Sequence, residues 1–423
     1  MTRILAVTLR YPPYVEGGYE LLTRDAVHGL RAMGHDVAVL CGVGAAFEND
    51  ELTHATLKPA LDEGGNLFEI DRKSGPLARV RSHYFRAANY AATKTAIDAF
   101  RPDLVLYFNL GLASLAPLLA ARMQRVPTLG YLCDRWAENL WLIDVAQDPN
   151  KRGRLPFMRA LWAGTRSIAG LSPALCASGW IRKRLLASGL AADGVEVLPT
   201  GLSPQMDALA RAADGPCERI PGGRLRLIST SMLWHGKGQH VLVEAFGRAV
   251  AEGLDGELIL AGADPGSGEY EEGLRELVRE ARIEDRVDFV GLLSPEELSS
   301  YLTASHIFVL PSIWGEPFGL ATIEAMAHGL CTIVTDSGAS LELVGDAGVV
   351  VPSGEIEALA RVLLILGGDE QRRMDLGGRA RARAFERYGR ATFLSRLESA
   401  CLAVVAGEEL VPDSHSPAQG GCS

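Results

Sequence analysis

Apolar and polar positions switch between two periods along most of the chain. Ile4 to Thr8 is a short β-rich apolar run, followed by a Pro/Gly loop from Tyr11 to Gly18 and a helical stretch from Tyr19 to Met33 with apolar Leu21, Leu22, Ala26 and Leu30. Gly34 stops the helix and Asp36 to Cys41 reads as the next strand, which completes a βαβ unit. The alternation returns with a strand at Leu104 to Tyr107, a helix at Leu112 to Met123 and a strand at Pro127 to Leu132. Strands bounded by helical patterns predict a parallel sheet with helices on both faces.

A strand at Val195 to Leu198 ends in Pro199-Thr200-Gly201, and a polar, poorly periodic stretch runs from there to about Gly223. The pattern then restarts. Strands are predicted at Leu225 to Ser229, Glu257 to Ala261, Val287 to Val290, Ile307 to Leu310 and Cys331 to Val334. Helices are predicted between them at Gln239 to Ala251, Tyr270 to Ala281, Pro295 to Thr303 and Leu320 to Ala327. Further helices are expected at Ile356 to Leu366, Gln371 to Phe385 and Thr392 to Val405. The expectation is two α/β domains, each a doubly wound parallel sheet of Rossmann-like type: 1–200, and 201–390 followed by a helix at 391–406 that returns toward the first. A Gly-, Pro- and Ser-rich tail at 407–423 is expected to be disordered. In such sheets ligands sit at the carboxyl ends of the strands, where strand order switches, so two sheets facing one another would make an interdomain cleft.

Composition narrows the class. With 48% hydrophobic and 22% charged residues the 423-residue chain reads as an ordinary globular protein of two cores. The net charge of −10 argues against a nucleic-acid partner, which needs a basic excess. That sum is split: the first 200 residues carry about +4 and the remainder about −14. Seven scattered cysteines, none spaced C-x-x-C, suggest neither a zinc site nor a disulfide framework, and no apolar run is long enough for a signal peptide or a membrane span. A cytoplasmic protein is expected. The scarcity of lysine, six of 42 basic residues, fits a GC-rich bacterial source.

The segment richest in chemistry is Gly315-Glu316-Pro317-Phe318-Gly319-Leu320, continuing to Glu324. A strand runs into this loop and a helix opens at about Gly319, so unpaired amides and the positive dipole end make an anion site. Glu316 and Glu324 bracket it, two acceptors for sugar hydroxyls on either side of a phosphate group, as a nucleotide sugar would require. Taken singly, Glu316 reads rather as an ordinary residue near the helix cap and Glu324 as a solvated helix face.

Glu316-Pro-Phe-Gly-Leu with Glu324 eight residues on, then Thr335-Asp336-Ser337-Gly338 and Glu342, resembles the donor-site signature of the family 4 retaining glycosyltransferases of GT-B fold. The Gly17-Gly18 loop, Lys237-Gly238 and Phe289-Val290-Gly291 extend the resemblance over nearly the whole chain. It implies that Glu316 holds hydroxyls of the transferred sugar and that the amides of Phe318, Gly319 and Leu320 contact the sugar and phosphates. Glu324 would take the ribose hydroxyls, Lys237 the diphosphate, and Gly291 and Leu292 the base. Gly17 and Gly18 would bring amides toward the diphosphate or acceptor, flanked by Glu16 and Tyr19 as acceptor contacts.

Two departures stand out. The arginine usual five residues before the lysine is Met232, in Ser231-Met232-Leu233-Trp234-His235-Gly236-Lys237, leaving His235 and Arg10 as candidates for the missing charge. The acceptor-side histidine is replaced by Cys133, with Asp134 and Trp136 beside it; packing and a helix cap are equally open for the first two. Glu316, Lys237 and Asp134 are the expected catalytic set, with no metal and no cofactor: there is no D-x-D and no histidine cluster. The expected partners are a nucleotide-sugar donor, with UDP or GDP, and an acceptor the residues do not identify.

Other readings are a nucleotide-sugar epimerase of the same fold and a membrane-peripheral transferase. The second is prompted by the stretch from Pro149 to Ala192, which has eight basic residues and no acidic one, interleaved with Phe157, Leu161, Trp162, Trp180 and Ile181. Steering of the anionic donor, or cover of a helix face, explains the same stretch and is the preferred reading. Gly42-Val-Gly44 lacks the third glycine of a dinucleotide fingerprint and supports no dehydrogenase.

Overall fold

A computed structural model describes residues 1–13, 18–42, 53–55, 57, 85–111, 113–137, 170–189, 191, 193–215 and 223–412. Two compact units divide the chain, one of Met1–Pro199 with Phe393–Ser423 and one of Thr200–Thr392.

The first unit is built on a seven-stranded sheet. Its strands are β1 (Arg3–Val7), β2 (Asp36–Cys41), β3 (Thr53–Ala55), β4 (Leu104–Tyr107), β5 (Thr128–Leu132), β6 (Ala174–Cys176) and β7 (Val195–Val197), in the order β3-β2-β1-β4-β5-β6-β7. All pairs are parallel; Ile4 of β1 sits opposite Val37 on one side and Leu104 on the other. Such strands are covered on both faces, which is why Ile4, Leu5, Ala6 and Val7 are all buried without polar alternation. Strand order reverses between β1 and β4, so ligand-facing loops belong after these two strands.

The second unit carries a six-stranded parallel sheet of β8 (Leu225–Thr230), β9 (Gly256–Ala261), β10 (Val287–Gly291), β11 (Ile307–Leu310), β12 (Cys331–Thr335) and β13 (Val349–Val351), in the order β10-β9-β8-β11-β12-β13. Ile307 of β11 lies opposite Leu227 of β8. Here the reversal falls between β8 and β11. Both sheets are therefore doubly wound, as the hydrophobic pattern predicts.

The last helix, Arg390–Ala406, joins the core of the first unit through Phe393, Leu394, Leu397 and Cys401. Gly29 is the reason it fits so closely: a Cβ there would lie 2.3 Å from a methyl of Leu394. Polar contacts hold its outer face, with His35 Nε2 2.8 Å from Glu398 and the Arg396 guanidinium donating to the carbonyl of Val197 at 3.0 Å. Among the described residues no helix is long and apolar enough to cross a membrane.

Several elements depart from the pattern. The helix expected from Leu112 begins at Ala116, because Asn109 and Ser114 first organise a turn: Asn109 Oδ1 accepts from the Gly111 amide and Ser114 adopts φ +64°. The polar stretch after Gly201 contains a helix, Pro204–Ala212, capped by Ser203 on the Met206 amide and burying only Met206 and Ala210. With two buried side chains it leaves almost no periodicity to read. The helix Ala87–Phe100 escaped for the opposite reason: its inner face includes Asn89 and Thr93, polar residues satisfied by main-chain carbonyls at 2.6 and 2.7 Å.

Candidate active site

In the second unit the two loops at the reversal point are those following β8 and β11. They are joined by their backbones: the amides of Ile313 and Trp314 both donate to the carbonyl of Gly236, at 2.9 and 3.2 Å. Gly238 makes the join possible. It adopts φ +74° beneath the carbonyl of Pro311, where a Cβ would lie 2.0 Å from that oxygen. This fixes Lys237 at the end of a short 3-10 turn, His235–Lys237.

The Lys237 ammonium donates to Glu316 Oε2 at 2.7 Å, and the Ser312 hydroxyl donates to the same oxygen at 3.3 Å. Both charged side chains are largely enclosed, with 18% of the lysine and 6% of the glutamate exposed. The ammonium also lies 5.7 Å from the centre of the Trp314 ring, which packs edge-to-face on half-exposed Trp234. Glu316 is held from behind by Gly338, whose φ of +65° and missing Cβ let it abut the Glu316 backbone, and by the Ala339 amide donating to the Glu316 carbonyl at 2.8 Å.

Glu316 leads directly into the helix Leu320–Ala327, which opens at Gly319 with φ +108° and no side-chain cap. The first amides of a helix lack intrahelical acceptors, so an anion placed there meets unpaired donors and the dipole. Phe318 turns its ring inward, edge-on to Tyr388 at 5.9 Å, and leaves only its backbone to face a ligand. Glu324 sits partly exposed in the second turn, where removal of water by its neighbours pushes its carboxyl up to about 7. Gly291 ends β10 with φ +71° and Leu292 is 83% exposed beside it, an apolar surface with no protein cover.

At the position of the absent arginine, Met232 is exposed. His235 stacks on His240 with ring centres 4.6 Å apart, and His240 Nδ1 meets the Tyr270 hydroxyl at 2.9 Å. Burial and then the neighbouring His235 lower the His240 pKa, so this imidazole is held neutral.

In the first unit the first turn of the helix Gly18–Ala32 and the loops after β4 and β5 bring together Tyr19, Asn109, Cys133 and Asp134. Tyr19 donates its hydroxyl to the carbonyl of Tyr131 at 2.5 Å, and burial raises its pKa well above the ordinary value. Asp134 accepts from the Trp136 amide at 2.9 Å and from Asn109 Nδ2 at 3.1 Å. Burial pushes this carboxyl up to about 6. Trp136 is buried with its Cβ close to Gly111, and Cys133 is half-buried. Gly18 is the exposed first residue of the helix Gly18–Ala32. Glu16 and Gly17 lie outside the described residues, as do most of the basic residues between 149 and 192. The described ones, Arg182, Lys183 and Arg184, lie on the helix Gly179–Ser188, where Arg184 covers one face of Trp180 at 4.8 Å.

Nothing in the residue pattern singles out Ser312, Trp314 and Asn109. Each lies just beyond a strand at a reversal point, and that position was the signal available.

Known proteins are similar to this chain in each unit separately and over both. A family model described as glycosyl transferases group 1 matches residues 216–383, and one described as glycosyltransferase family 4 matches residues 16–205. The chain belongs to the family 4, group 1 glycosyltransferases. Among relatives of this glycosyltransferase-family chain, the phosphatidyl-myo-inositol mannosyltransferase of Mycolicibacterium smegmatis is 29% identical over 372 residues, 87% of this chain and 86% of that protein. The amylovoran biosynthesis glycosyltransferase of Erwinia amylovora is 30% identical over 196 residues, 44% of this chain. For it and three other relatives, the match covers only 36% to 45% of the relative's own length. Among solved structures, Anabaena HepE in complex with UDP and glucose superposes with a TM-score of 0.66 at 20% identity, over 94% of this chain and 99% of that one. The fold is GT-B.

Proposed function

We propose that the chain is a retaining, metal-independent glycosyltransferase. It moves a sugar from a UDP- or GDP-linked donor to a small-molecule, glycan or lipid-linked acceptor in polysaccharide, glycolipid or secondary-metabolite biosynthesis. The observation that carries the reading is the meeting of the Lys237 ammonium and the Glu316 carboxylate at the amino end of the Leu320–Ala327 helix. One cation and several amides face a diphosphate, while a carboxylate beside them suits sugar hydroxyls.

A nucleotide sugar already carries a good leaving group, so the work is to stabilise negative charge as the sugar–phosphate bond opens and to hold the acceptor in line. Lys237 and the amides from Phe318 to Leu320 supply that charge stabilisation. Glu316 fixes the sugar, Glu324 the ribose, and Gly291 and Leu292 flank the base. With attack on the face the leaving group vacates, a phosphate oxygen takes the acceptor proton and no separate base is required. On the acceptor side, ionised Asp134 receives a hydroxyl.

Thermal-shift screening of UDP- against GDP-sugars, followed by NMR of the product anomer with and without EDTA, tests each part. Stabilisation by one donor and an EDTA-insensitive product of retained configuration are expected. An inverted product would overturn the mechanism. Release of an epimerised sugar without any acceptor would replace the reading by the epimerase one. The lipid-linked form of the proposal adds binding to anionic liposomes in flotation, lost at high salt.

A further inference from the structure

The ion pair at the centre of the site has a consequence for what the site binds. Lys237 is the only lysine after residue 200, and Met232 stands where a second phosphate-directed cation would be. Yet its charge is already opposed, by Glu316 at 2.7 Å. A diphosphate approaching this ammonium meets the carboxylate behind it, and repulsion from the second cancels much of the attraction to the first.

The backbones of both partners are fixed. Gly236 is tied to Ile313 and Trp314, and Glu316 to Ala339, so the pair cannot separate by loop movement without breaking these main-chain bonds. What remains open is on the side chains. Among the described residues Glu316 Oε1 has no hydrogen-bond partner, while Oε2 takes both Lys237 and Ser312. The ammonium has two further protons to give and rests near the Trp314 ring. A sugar hydroxyl donating to Oε1 draws negative charge from the carboxylate and so strengthens the ammonium toward phosphate.

We propose that the Lys237–Glu316 pair is a specificity device, in which Glu316 weakens the binding of bare nucleoside diphosphate and releases that opposition only when sugar hydroxyls engage its carboxylate. The inference rests on the nucleotide-sugar reading above. It makes the donor bind well and the nucleotide product leave readily from one set of residues.

Calorimetric titration of the full chain with UDP and with GDP tests it, using wild type, Glu316→Gln, Lys237→Met and the double variant. Glu316→Gln should bind the nucleoside diphosphate roughly tenfold more tightly than wild type, with a steeper loss on adding salt. Lys237→Met should bind weakly, and the double variant should show no gain over it. Glu316→Asp, whose shorter side chain retreats from the ammonium, should fall between wild type and Glu316→Gln, so a folding defect in one variant leaves the other to decide. Equal or weaker binding by Glu316→Gln overturns the proposal, as does a gain that survives removal of Lys237. Wild type that turns over a nucleotide sugar while Glu316→Gln gains nothing refutes this inference alone. Failure of wild type and Glu316→Gln alike to bind UDP, GDP or any nucleotide sugar refutes the function as well.

Discussion

Asn109 donates its side-chain amide to Asp134 at 3.1 Å while its own oxygen is held by the Gly111 amide at 2.9 Å. The amide is therefore locked with its donor toward the carboxylate. Even with this donor and that of Trp136, burial pushes the Asp134 carboxyl up to about 6. The folded chain holds this proton more tightly than the unfolded one. The group thus favours the fold below about pH 4, and that contribution is lost as pH rises through about 6. If the ionised form receives the acceptor hydroxyl, kcat/KM for the acceptor rises through about pH 6 at saturating donor. Asn109→Asp, which sets a second carboxylate against the first, should move that rise to higher pH. An unshifted profile would remove Asp134 from the acceptor side.

Glu324 gives a second, separable titration. Its carboxyl is pushed up to about 7 by burial, so it is half protonated near neutrality and a full acceptor only above it. Donor binding should tighten as pH rises through about 7, whereas the Asp134 effect appears in the acceptor term. Glu324→Gln should flatten this dependence and weaken the donor roughly tenfold, the cost of a charged hydrogen bond. Direct titration of nucleotide or nucleotide sugar between pH 6 and 8 checks it; a slope that persists in the variant would place the titrating group elsewhere.

Gly338 and Gly354 allow strain and collision to be separated. Both have positive φ, +65° and +79°, but a Cβ on Gly338 would lie 2.2 Å from the Glu316 backbone, whereas one on Gly354 meets nothing within 4 Å. Gly354→Ala should cost only the left-handed backbone penalty, about 1 kcal/mol. Gly338→Ala adds overpacking against immobile backbone and should cost about 3 kcal/mol or more, with transfer lost in step because Glu316 is displaced. Thermal midpoints of the two variants measured side by side decide the point.

The sheets were legible because fully buried parallel strands are written as uninterrupted apolar runs, and Ile307–Leu310 and Asp36–Cys41 lie where the pattern puts them. The family resemblance singles out Glu316 and Lys237 and implies separate tasks for them, sugar and phosphate. Nothing in the order of residues says that side chains 79 positions apart touch, because the contact depends on β8 and β11 being neighbours, a property of strand order. Asn109 was hidden for a similar reason: its partners are a turn amide and a carboxylate 25 residues on. The motif Thr335-Asp336-Ser337-Gly338 does not by itself give Gly338 a role; its φ and its closeness to the Glu316 backbone do.

The two residues of the central pair should fail in different ways when truncated singly. Glu316→Ala removes the group proposed to hold the transferred sugar and takes from Lys237 its carboxylate partner, leaving the Trp314 ring beside it. Transfer should fall by about a hundredfold to a thousandfold with the nucleotide still bound, since the loss is of orientation rather than of phosphate attraction. Lys237→Ala removes the cation and leaves a carboxylate only 6% exposed without its counter-charge. That variant should lose nucleotide affinity and rate together, and should melt earlier than Glu316→Ala because a buried charge is left unpaired. Single-turnover rates, nucleotide titrations and melting curves on the two proteins separate these outcomes. Near-normal transfer by Glu316→Ala would show that the sugar is held by other groups.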